Sequence, residues 1–192
     1  MATTVPKQCG FCGNTANTEC ARCNNTTYCD VECQQKDWTM HKTLCDQCPL
    51  SDDARPTAHH RRAIHPPVDG DRPKLVWLDT ALSGFCSFMD YKEDLVQMGI
   101  LVDAERSGGQ HLDHEIMVCH SETMQFDGFG ENKVLSVLTD GKVKGFWKGS
   151  LLIWGRHGDV DEEDVDRAHD IHVCDLGLAV QGLMRIEKDW MP

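Results

Sequence analysis

Apolar and polar residues divide this chain of 192 residues into two unlike regions. Residues 9–45 are rich in cysteine and polar side chains and hold few aliphatic ones, whereas short apolar runs recur from Lys74 onward. Between the two regions, residues 46–73 contain five of the seven prolines and therefore predict a linker. We predict a free tail over 1–8, a small module over 9–45 and an α+β domain over 74–192.

Apolar runs bounded by turn residues predict the strands of the second region. These runs are "KLVWLD" at 74–79, "HEIMVCHS" at 114–121 and "SLLIWG" at 150–155. The segment 132–149 predicts a hairpin, because two partly apolar runs flank Asp140-Gly141, a dipeptide typical of tight β-turns.

Two other segments of this region show helical spacing. Apolar residues recur every three or four positions over 91–106, which predicts a helix that Gly99 weakens. The segment 159–190 opens with acidic residues, which stabilise a helix N-terminus. It continues with a helical pattern that has a candidate break at Val173 or Gly177.

The net charge is −12 with histidine counted as neutral, and its distribution argues against one class of function. Residues 74–192 carry eleven Lys or Arg against twenty-two Asp or Glu, so most of the excess negative charge lies there. A nonspecific nucleic-acid binder needs a basic face for phosphates, which this balance does not offer. The opening "MATTVPKQCG" lacks the apolar run of a signal peptide, and no apolar stretch approaches the roughly 18 residues of a membrane span. We expect an intracellular protein, in the nucleus or the cytoplasm.

Eleven cysteines is a high number for this length, and eight of them lie in the first 48 residues. In a reducing compartment, clustered cysteines indicate metal binding more than disulfides. With one histidine they form four short-spaced pairs: Cys9-x2-Cys12, Cys20-x2-Cys23, Cys29-x3-Cys33 and His41-x3-Cys45. Zn²⁺ takes thiolate and imidazole ligands, and a site with four protein ligands leaves no position for water or substrate. Eight ligands therefore predict two closed, structural zinc sites.

The residues around these pairs suit metal binding. Gly13 and Asn24 each follow a CxxC pair and can take a positive φ, which turns backbone N–H groups toward the sulfurs. The segment 30–45 has strong helix formers and neither Gly nor Pro, so one helix can carry three ligands, Cys33, His41 and Cys45. Spacing leaves two pairings open: the first four cysteines share one ion, or the pairs alternate between two ions.

The stretch "YCDVECQQKDWTMHKTLC", residues 28–45, resembles the MYND-type zinc fingers. The match spans 9–45 and includes all eight ligands. It also includes the phrase "YC…CQ..DW..HK..C", carried by Tyr28, Cys29, Cys33, Gln34, Asp37, Trp38, His41, Lys42 and Cys45. The resemblance implies the alternating, cross-braced pairing. Zinc 1 then has the ligands Cys9, Cys12, Cys29 and Cys33, and zinc 2 has the ligands Cys20, Cys23, His41 and Cys45.

The same resemblance implies a protein–protein interaction module that takes proline-rich peptides, with Gln34 and Trp38 flanking the peptide groove. These two residues are four apart on the predicted helix and so share a face. Trp38 can equally pack into the small core of the finger, and the two roles are compatible. The favoured function is therefore a non-enzymatic adaptor that binds a partner peptide, for example as a transcriptional co-regulator.

Candidate chemistry outside the finger is weaker. Some MYND proteins also hold a SET methyltransferase domain, but the 119 residues from Lys74 are few for its split form and no SET-like cofactor motif is evident. His111, His114, Cys119 and His120 offer ligands for a further metal, but exposed or packed histidines are the commoner interpretation. His169, His172 and Cys174 lie close together along the chain near the last predicted helix, but without a carboxylate–His–nucleophile arrangement a catalytic site is disfavoured there. Cys48 is interpreted as a free thiol. The alternative function is an enzyme with an active site in 74–192, for which the finger recruits substrate.

Overall fold

The computed structural model of the protein describes residues 7–48, 55–80, 96–103, 112–126, 128–157 and 168–190. Within them the helices are α1 (Val31–Leu44), α2 (Lys133–Leu138) and α3 (Asp175–Trp190), and a 3₁₀ turn covers Cys45–Gln47. The strands are β1 (Thr18–Glu19), β2 (Thr27–Tyr28), β3 (His60–His65), β4 (Lys74–Asp79), β5 (Val96–Val102), β6 (Glu115–Ser121), β7 (Leu152–Arg156) and β8 (Ala168–His169). His111 and the acidic stretch 159–166 lie outside the described residues.

The first region folds as a small hairpin followed by a helix. Strands β1 and β2 pair in antiparallel fashion. Gln8 falls within the predicted free tail, yet it forms a bridge with Thr15, because the turn between them folds the chain back on itself. Helix α1 begins after Asp30, whose carboxylate accepts a hydrogen bond from the Cys33 N–H at 2.8 Å and so caps the first turn.

Six strands form one antiparallel sheet, five of them from the second region and β3 from the range before it. Its order is β4-β3-β7-β6-β5, and β8 pairs with the end of β7. The strands predicted at 74–79, 114–121 and 150–155 are confirmed as β4, β6 and β7. Alternate side chains of β6 and β7 enter two cores on opposite faces, which explains why their sequences are almost continuously apolar. The predicted α+β class is confirmed.

The range predicted as a linker contains a strand. β3 pairs with β4 along its whole length and with β7 at Ala63 and Ile64, which are both fully buried. Its neighbouring positions are arginines that make specific hydrogen bonds: Arg61 Nε donates to the Ala168 carbonyl at 2.8 Å, and the Arg62 N–H donates to Asp170 at 2.7 Å. The polar composition and flanking prolines conceal a strand whose stability comes from its two partners.

The segment 96–102, which the apolar spacing predicts as helix, is strand β5. It pairs with β6 from Val96 opposite Ser121 onward, with one register shift between Ile100 and Val102. A short apolar run fits either periodicity, and here the free edge of β6 decides the outcome.

The hairpin predicted over 132–149 is wrong, because its first half is helix α2. Asn132 Oδ1 accepts a hydrogen bond from the Leu135 N–H at 3.0 Å, a helix N-cap that strand periodicity does not reveal. The Asp140-Gly141 turn lies where it is predicted, with φ angles of 50° and 76°, but it follows a helix.

Helix α3 covers one face of the sheet. It begins at Asp175, well inside the predicted helix 159–190, and passes through Gly177 without a break. The side chains that it buries in the core are Leu176, Leu178, Ala179, Val180 and Leu183. A Cβ at Gly182 would lie 2.9 Å from the Leu101 carbonyl oxygen, so the close approach of α3 to β5 requires glycine.

The finger packs directly against the sheet domain. Leu44 and Cys48, at the end of α1 and just beyond it, are buried in the same core as α3 and the sheet. Gln47 makes two hydrogen bonds at the start of β4: its Nε2 donates to the Pro73 carbonyl at 2.9 Å, and its Oε1 accepts from the Leu75 N–H at 2.9 Å. The segment that follows the last ligand therefore connects the two regions through buried contacts and hydrogen bonds.

Candidate metal centres

Two clusters of four ligand side chains form in the finger. In each cluster the ligand atoms all lie within 4.8 Å of one another. The first contains Cys9, Cys12, Cys29 and Cys33, and the second contains Cys20, Cys23, His41 and Cys45. The pairs thus alternate between clusters, which is the cross-braced arrangement that the family resemblance implies and which excludes the sequential alternative.

The spacing within the clusters agrees with tetrahedral zinc. Zn–S and Zn–N bonds of about 2.3 and 2.0–2.1 Å place two sulfurs about 3.8 Å apart, and a sulfur and a nitrogen about 3.6 Å apart. In the first cluster the Sγ atoms of Cys12 and Cys33 each lie 3.5 Å from that of Cys29. In the second, Cys20 Sγ lies 3.8 Å from Cys45 Sγ, and Cys23 Sγ lies 3.6 Å from His41 Nε2. The two clusters fit two structural zinc ions.

Tight turns bring each CxxC pair together. The N–H groups of Gly13 and Asn24 donate to the carbonyls of Cys9 and Cys20 at 2.9 and 2.8 Å. Both residues have positive φ, 76° and 53°, as their position after a CxxC pair predicts. Burial raises the pKa of Cys9, but backbone N–H groups directed at its sulfur bring it down to about 7. These N–H groups stabilise the thiolate of Cys9, and the thiolate is the form that binds zinc.

Helix α1 supplies ligands to both clusters. It carries Cys33 in its first turn and His41 near its end, and Cys45 follows at the start of the 3₁₀ turn. Cys29 precedes the helix, so Cys33 is the helical member of the Cys29/Cys33 pair. Burial lowers the pKa of His41, which favours the neutral imidazole that zinc requires.

A buried polar pair, Tyr28 and Asp37, lies beside the histidine ligand, and neither residue is a predicted site residue. Tyr28 is fully buried, and its hydroxyl donates to Asp37 Oδ2 at 2.7 Å. The same oxygen lies 3.8 Å from His41 Nδ1, the nitrogen that faces away from the cluster and lacks a hydrogen-bond partner among the described residues. A carboxylate near the second nitrogen of a metal-binding histidine helps to orient the ring. The available signal was the spacing of Asp37 and His41, four apart on one helix.

The two predicted partner-binding residues lie on the same helix. Trp38 is 39% exposed, and its ring lies 5.9 Å from the His41 ring at a tilt of 36°. Gln34, one turn earlier, is half-buried. One side of the Trp38 ring therefore faces the zinc ligand His41, and the other side faces solvent.

Of the candidate residues outside the finger, the structure brings three histidines together. His114, His169 and His172 have ring nitrogens within 4.8 Å of one another. Cys119, His120 and Cys174 do not belong to this cluster. Cys48 likewise belongs to no ligand cluster; its sulfur is buried and lies 3.7 Å from the Leu44 carbonyl, and burial raises its pKa to about 12.

A hairpin and a helix linked by two closed four-ligand clusters define a cross-braced, two-zinc module. Comparison with known proteins gives this module its family: the model of the MYND finger matches residues 9–45. This region is a MYND finger, a type of protein-interaction module. No helix among the described residues has the length and apolar character that crossing a membrane requires.

Several curated proteins share the finger. Tudor domain-containing protein 1 of Danio rerio is 44% identical over 41 residues, which cover 21% of this chain and 4% of that protein. Deformed epidermal autoregulatory factor 1 of Drosophila melanogaster is 42% identical over 43 residues, 22% of this chain and 8% of that protein.

One similarity extends beyond the finger. N-lysine methyltransferase SMYD2 of Rattus norvegicus is 29% identical over 138 residues, which cover 64% of this chain and 30% of that enzyme. The chain thus spans less than a third of each of these relatives. No solved structure matches the chain significantly.

Proposed function

We propose that the protein is an intracellular adaptor whose finger binds a partner peptide on the face of α1 that carries Gln34 and Trp38. The observation that supports this most strongly is the partial exposure of Trp38 beside the buried zinc ligand His41. Tryptophan is enriched among the residues that dominate binding energy at protein interfaces. A ring supported from below by His41 is already held in place and loses little freedom on binding.

The peptide that we propose is proline-rich. Such segments are already extended in the polyproline II conformation and dock on exposed aromatic rings at a low entropic cost. Gln34, one turn from Trp38, can donate and accept hydrogen bonds to the exposed peptide carbonyls and N–H groups. A transcriptional co-regulator and a cytosolic scaffold are two forms that an adaptor of this kind can take.

The test compares Trp38→Ala with Lys36→Ala in the full-length, zinc-loaded protein. Lys36 lies on the same helix and is exposed, and its ammonium pairs with Glu32 on the surface at 3.0 Å. Titration with a panel of proline-rich peptides should show affinity in the micromolar range for at least one peptide. Trp38→Ala should weaken that affinity about 30-fold or more, the effect of losing a residue worth about 2 kcal/mol. Lys36→Ala should change it less than threefold.

Equal losses for the two variants would assign the peptide to another surface. A zinc content of two per chain in both variants is the control that the finger remains folded. Gln34→Ala serves as a second probe of the same groove, with an expected loss between the other two.

A second candidate function rests on the similarity to an N-lysine methyltransferase. That similarity is longer than the finger, so part of it falls on the following domain. We propose as the alternative that residues 74–192 hold an active site and that the finger recruits its protein substrate. Incubation of the purified protein with a labelled methyl donor and lysine-containing substrates decides between the two. Labelled lysine supports the enzyme, and its absence across substrates that bind the finger supports the adaptor.

A further inference from the structure

Three histidines from distant parts of the sequence meet at one end of the sheet. His114 directly precedes β6, His169 ends β8, and His172 lies in the turn before α3. Their ring nitrogens lie within 4.8 Å of one another, the same limit that the two zinc clusters of the finger meet. His114 is buried, His169 is half-buried and His172 is exposed, so the cluster runs from the interior to the surface.

We propose that His114, His169 and His172 form a third metal site, which binds Zn²⁺ through one ring nitrogen of each residue. Imidazole is a preferred ligand of zinc and of similar transition metals, whereas Mg²⁺ and Ca²⁺ require oxygen ligands. Three histidine ligands leave the fourth position of a tetrahedral ion for water or another oxygen ligand. This site differs in kind from the closed sites of the finger and is independent of the peptide-binding function proposed above.

The outer partners of these rings are those of metal-binding histidines. Such a residue usually donates its second N–H to a carboxylate or a backbone carbonyl, which fixes the orientation of the ring. His169 Nδ1 lies 2.8 Å from the Asp170 carbonyl, which leaves Nε2 available as a ligand. His114 has a carboxylate at each nitrogen: Asp113 Oδ1 is 2.7 Å from Nδ1, and Asp175 Oδ2 is 3.1 Å from Nε2. Metal binding at either nitrogen replaces the hydrogen bond there, and the other nitrogen keeps a carboxylate to which it can donate.

The backbone around the cluster is fixed by further contacts. Asp175 also accepts a hydrogen bond from the His172 N–H at 2.7 Å, so one carboxylate positions two of the three histidines. Gly155 of β7 packs against His114 and His169. A Cβ at this position would lie 3.0 Å from His114 Cδ2 and 3.1 Å from His169 Cβ. A glycine within a buried strand marks a close approach, and here it allows the two imidazoles to lie against the sheet.

Two of the three histidines already have partners in the absence of a metal. A protonated His114 between Asp113 and Asp175 is a satisfied ion pair. A neutral His169 stacks on that ring at 4.6 Å with an interplanar angle of 12°, and its Nδ1 has a partner in the Asp170 carbonyl. The His172 ring makes no hydrogen bond within the described part of the chain. A shared ion lies in the plane of every ring that binds it, so metal binding turns the His169 ring out of the stack and gives the His172 ring a partner.

Metal binding draws the ligand atoms closer together. Nitrogens around a tetrahedral zinc ion lie about 3.3 Å apart, compared with the limit of 4.8 Å met by this cluster. The His172 ring can move furthest, because it is exposed and only its backbone is anchored. A cleft of about 370 Å³ lined by Asp113, His114, His172 and Asp175 gives an ion and its water access to the site.

The test is the number of zinc ions bound by the full-length protein and by a His169→Ala/His172→Ala variant. Each protein is titrated with Zn²⁺ and then desalted to remove weakly bound metal. The zinc content per chain is measured by elemental mass spectrometry. We expect three ions per chain for the unchanged protein and two for the double variant. Protection of the finger thiols from alkylation confirms in each sample that both finger sites are filled. His59→Ala is the matched control, because His59 is exposed and only its backbone is hydrogen-bonded, and it should retain three ions.

Two ions in the unchanged protein, or three in the double variant, would overturn the proposal. His172→Ala alone is the second variant, because the loss of an exposed side chain leaves the fold intact. It should bind the third ion at least tenfold more weakly. Mg²⁺ at millimolar concentration should not compete for the site, and competition by Mg²⁺ would mean that oxygen ligands hold the ion instead.

Discussion

The finger and the sheet domain solve the problem of stability in different ways. The buried cluster of the finger consists of Tyr28 and cysteines, with almost no aliphatic side chains. The domain instead buries apolar side chains on both faces of a six-stranded sheet, mostly leucine, isoleucine and valine on one face and leucine, alanine, methionine and tryptophan on the other. Zinc therefore does in the first region what apolar burial does in the second. The two regions meet at Leu44, which ends the metal-binding helix and lies in the core of the domain.

Removal of zinc should separate the two regions most clearly. Each structural zinc contributes about 10–16 kcal/mol of apparent binding free energy in small fingers. A strong chelator should therefore abolish amide protection across 9–45, measured by hydrogen exchange of the full-length protein. Protection of β6 and β7 should persist, because their hydrogen bonds and their second core, with Met117 and Leu152, do not involve the finger. Protected amides across 9–45 after metal loss would mean that packing alone holds the finger.

The second largest effect is expected where the regions join. Leu44→Ala removes a fully buried side chain and should cost about 2–5 kcal/mol of unfolding free energy. Because Leu44 packs in the shared core, the loss should lower the denaturant midpoint of the domain as well as that of the finger. Val31→Ala is the control: this residue lies on the same helix but is 65% exposed, so its replacement should cost less than about 0.5 kcal/mol. A domain midpoint that ignores Leu44→Ala would show two independent units.

The sequence predicts the ligands of the finger completely because their signal is local. Cys9 and Cys12, or His41 and Cys45, are paired by spacing that a turn or a helix fixes. β6 and β7 are equally predictable, since strands buried on both faces are apolar throughout. Which two ligand pairs share an ion, by contrast, depends on contacts between distant residues. Spacing leaves that choice open, and the family resemblance implies the cross-braced arrangement.

Other features depend on tertiary contacts that no short window contains. β3 is stabilised by two neighbouring strands and by arginine hydrogen bonds, so its sequence between prolines predicts a linker. The helix predicted over 91–106 becomes β5 because β6 offers an edge. His114 lies far from His169 and His172 along the chain, and only the sheet brings them together.

The smallest change in stability among these predictions is expected for the hydrogen bond between Tyr28 and Asp37, which lies between the core of the finger and the zinc ligand His41. Tyr28→Phe keeps the ring but removes the hydroxyl that donates to Asp37 Oδ2 at 2.7 Å. Asp37 is 3% exposed, so water cannot easily replace that hydrogen bond. The unpaired carboxylate should cost about 1–3 kcal/mol of unfolding free energy. Denaturant unfolding of the zinc-loaded protein measures it.

The same variant distinguishes a metal-orienting role from simple packing. Asp37 Oδ2 lies 3.8 Å from His41 Nδ1, so a change at Asp37 is transmitted to zinc 2 and not to zinc 1. Loss of an outer partner of a metal ligand typically weakens metal binding about 10–100-fold, and Tyr28 acts one step further out, so about tenfold is expected. A competing chelator should therefore remove one zinc earlier than in the unchanged protein, while the other is released as before. If the two ions were released together, the hydroxyl of Tyr28 would stabilise only the core of the finger. Zinc 2 would then be held by its four ligands without a contribution from Tyr28 and Asp37.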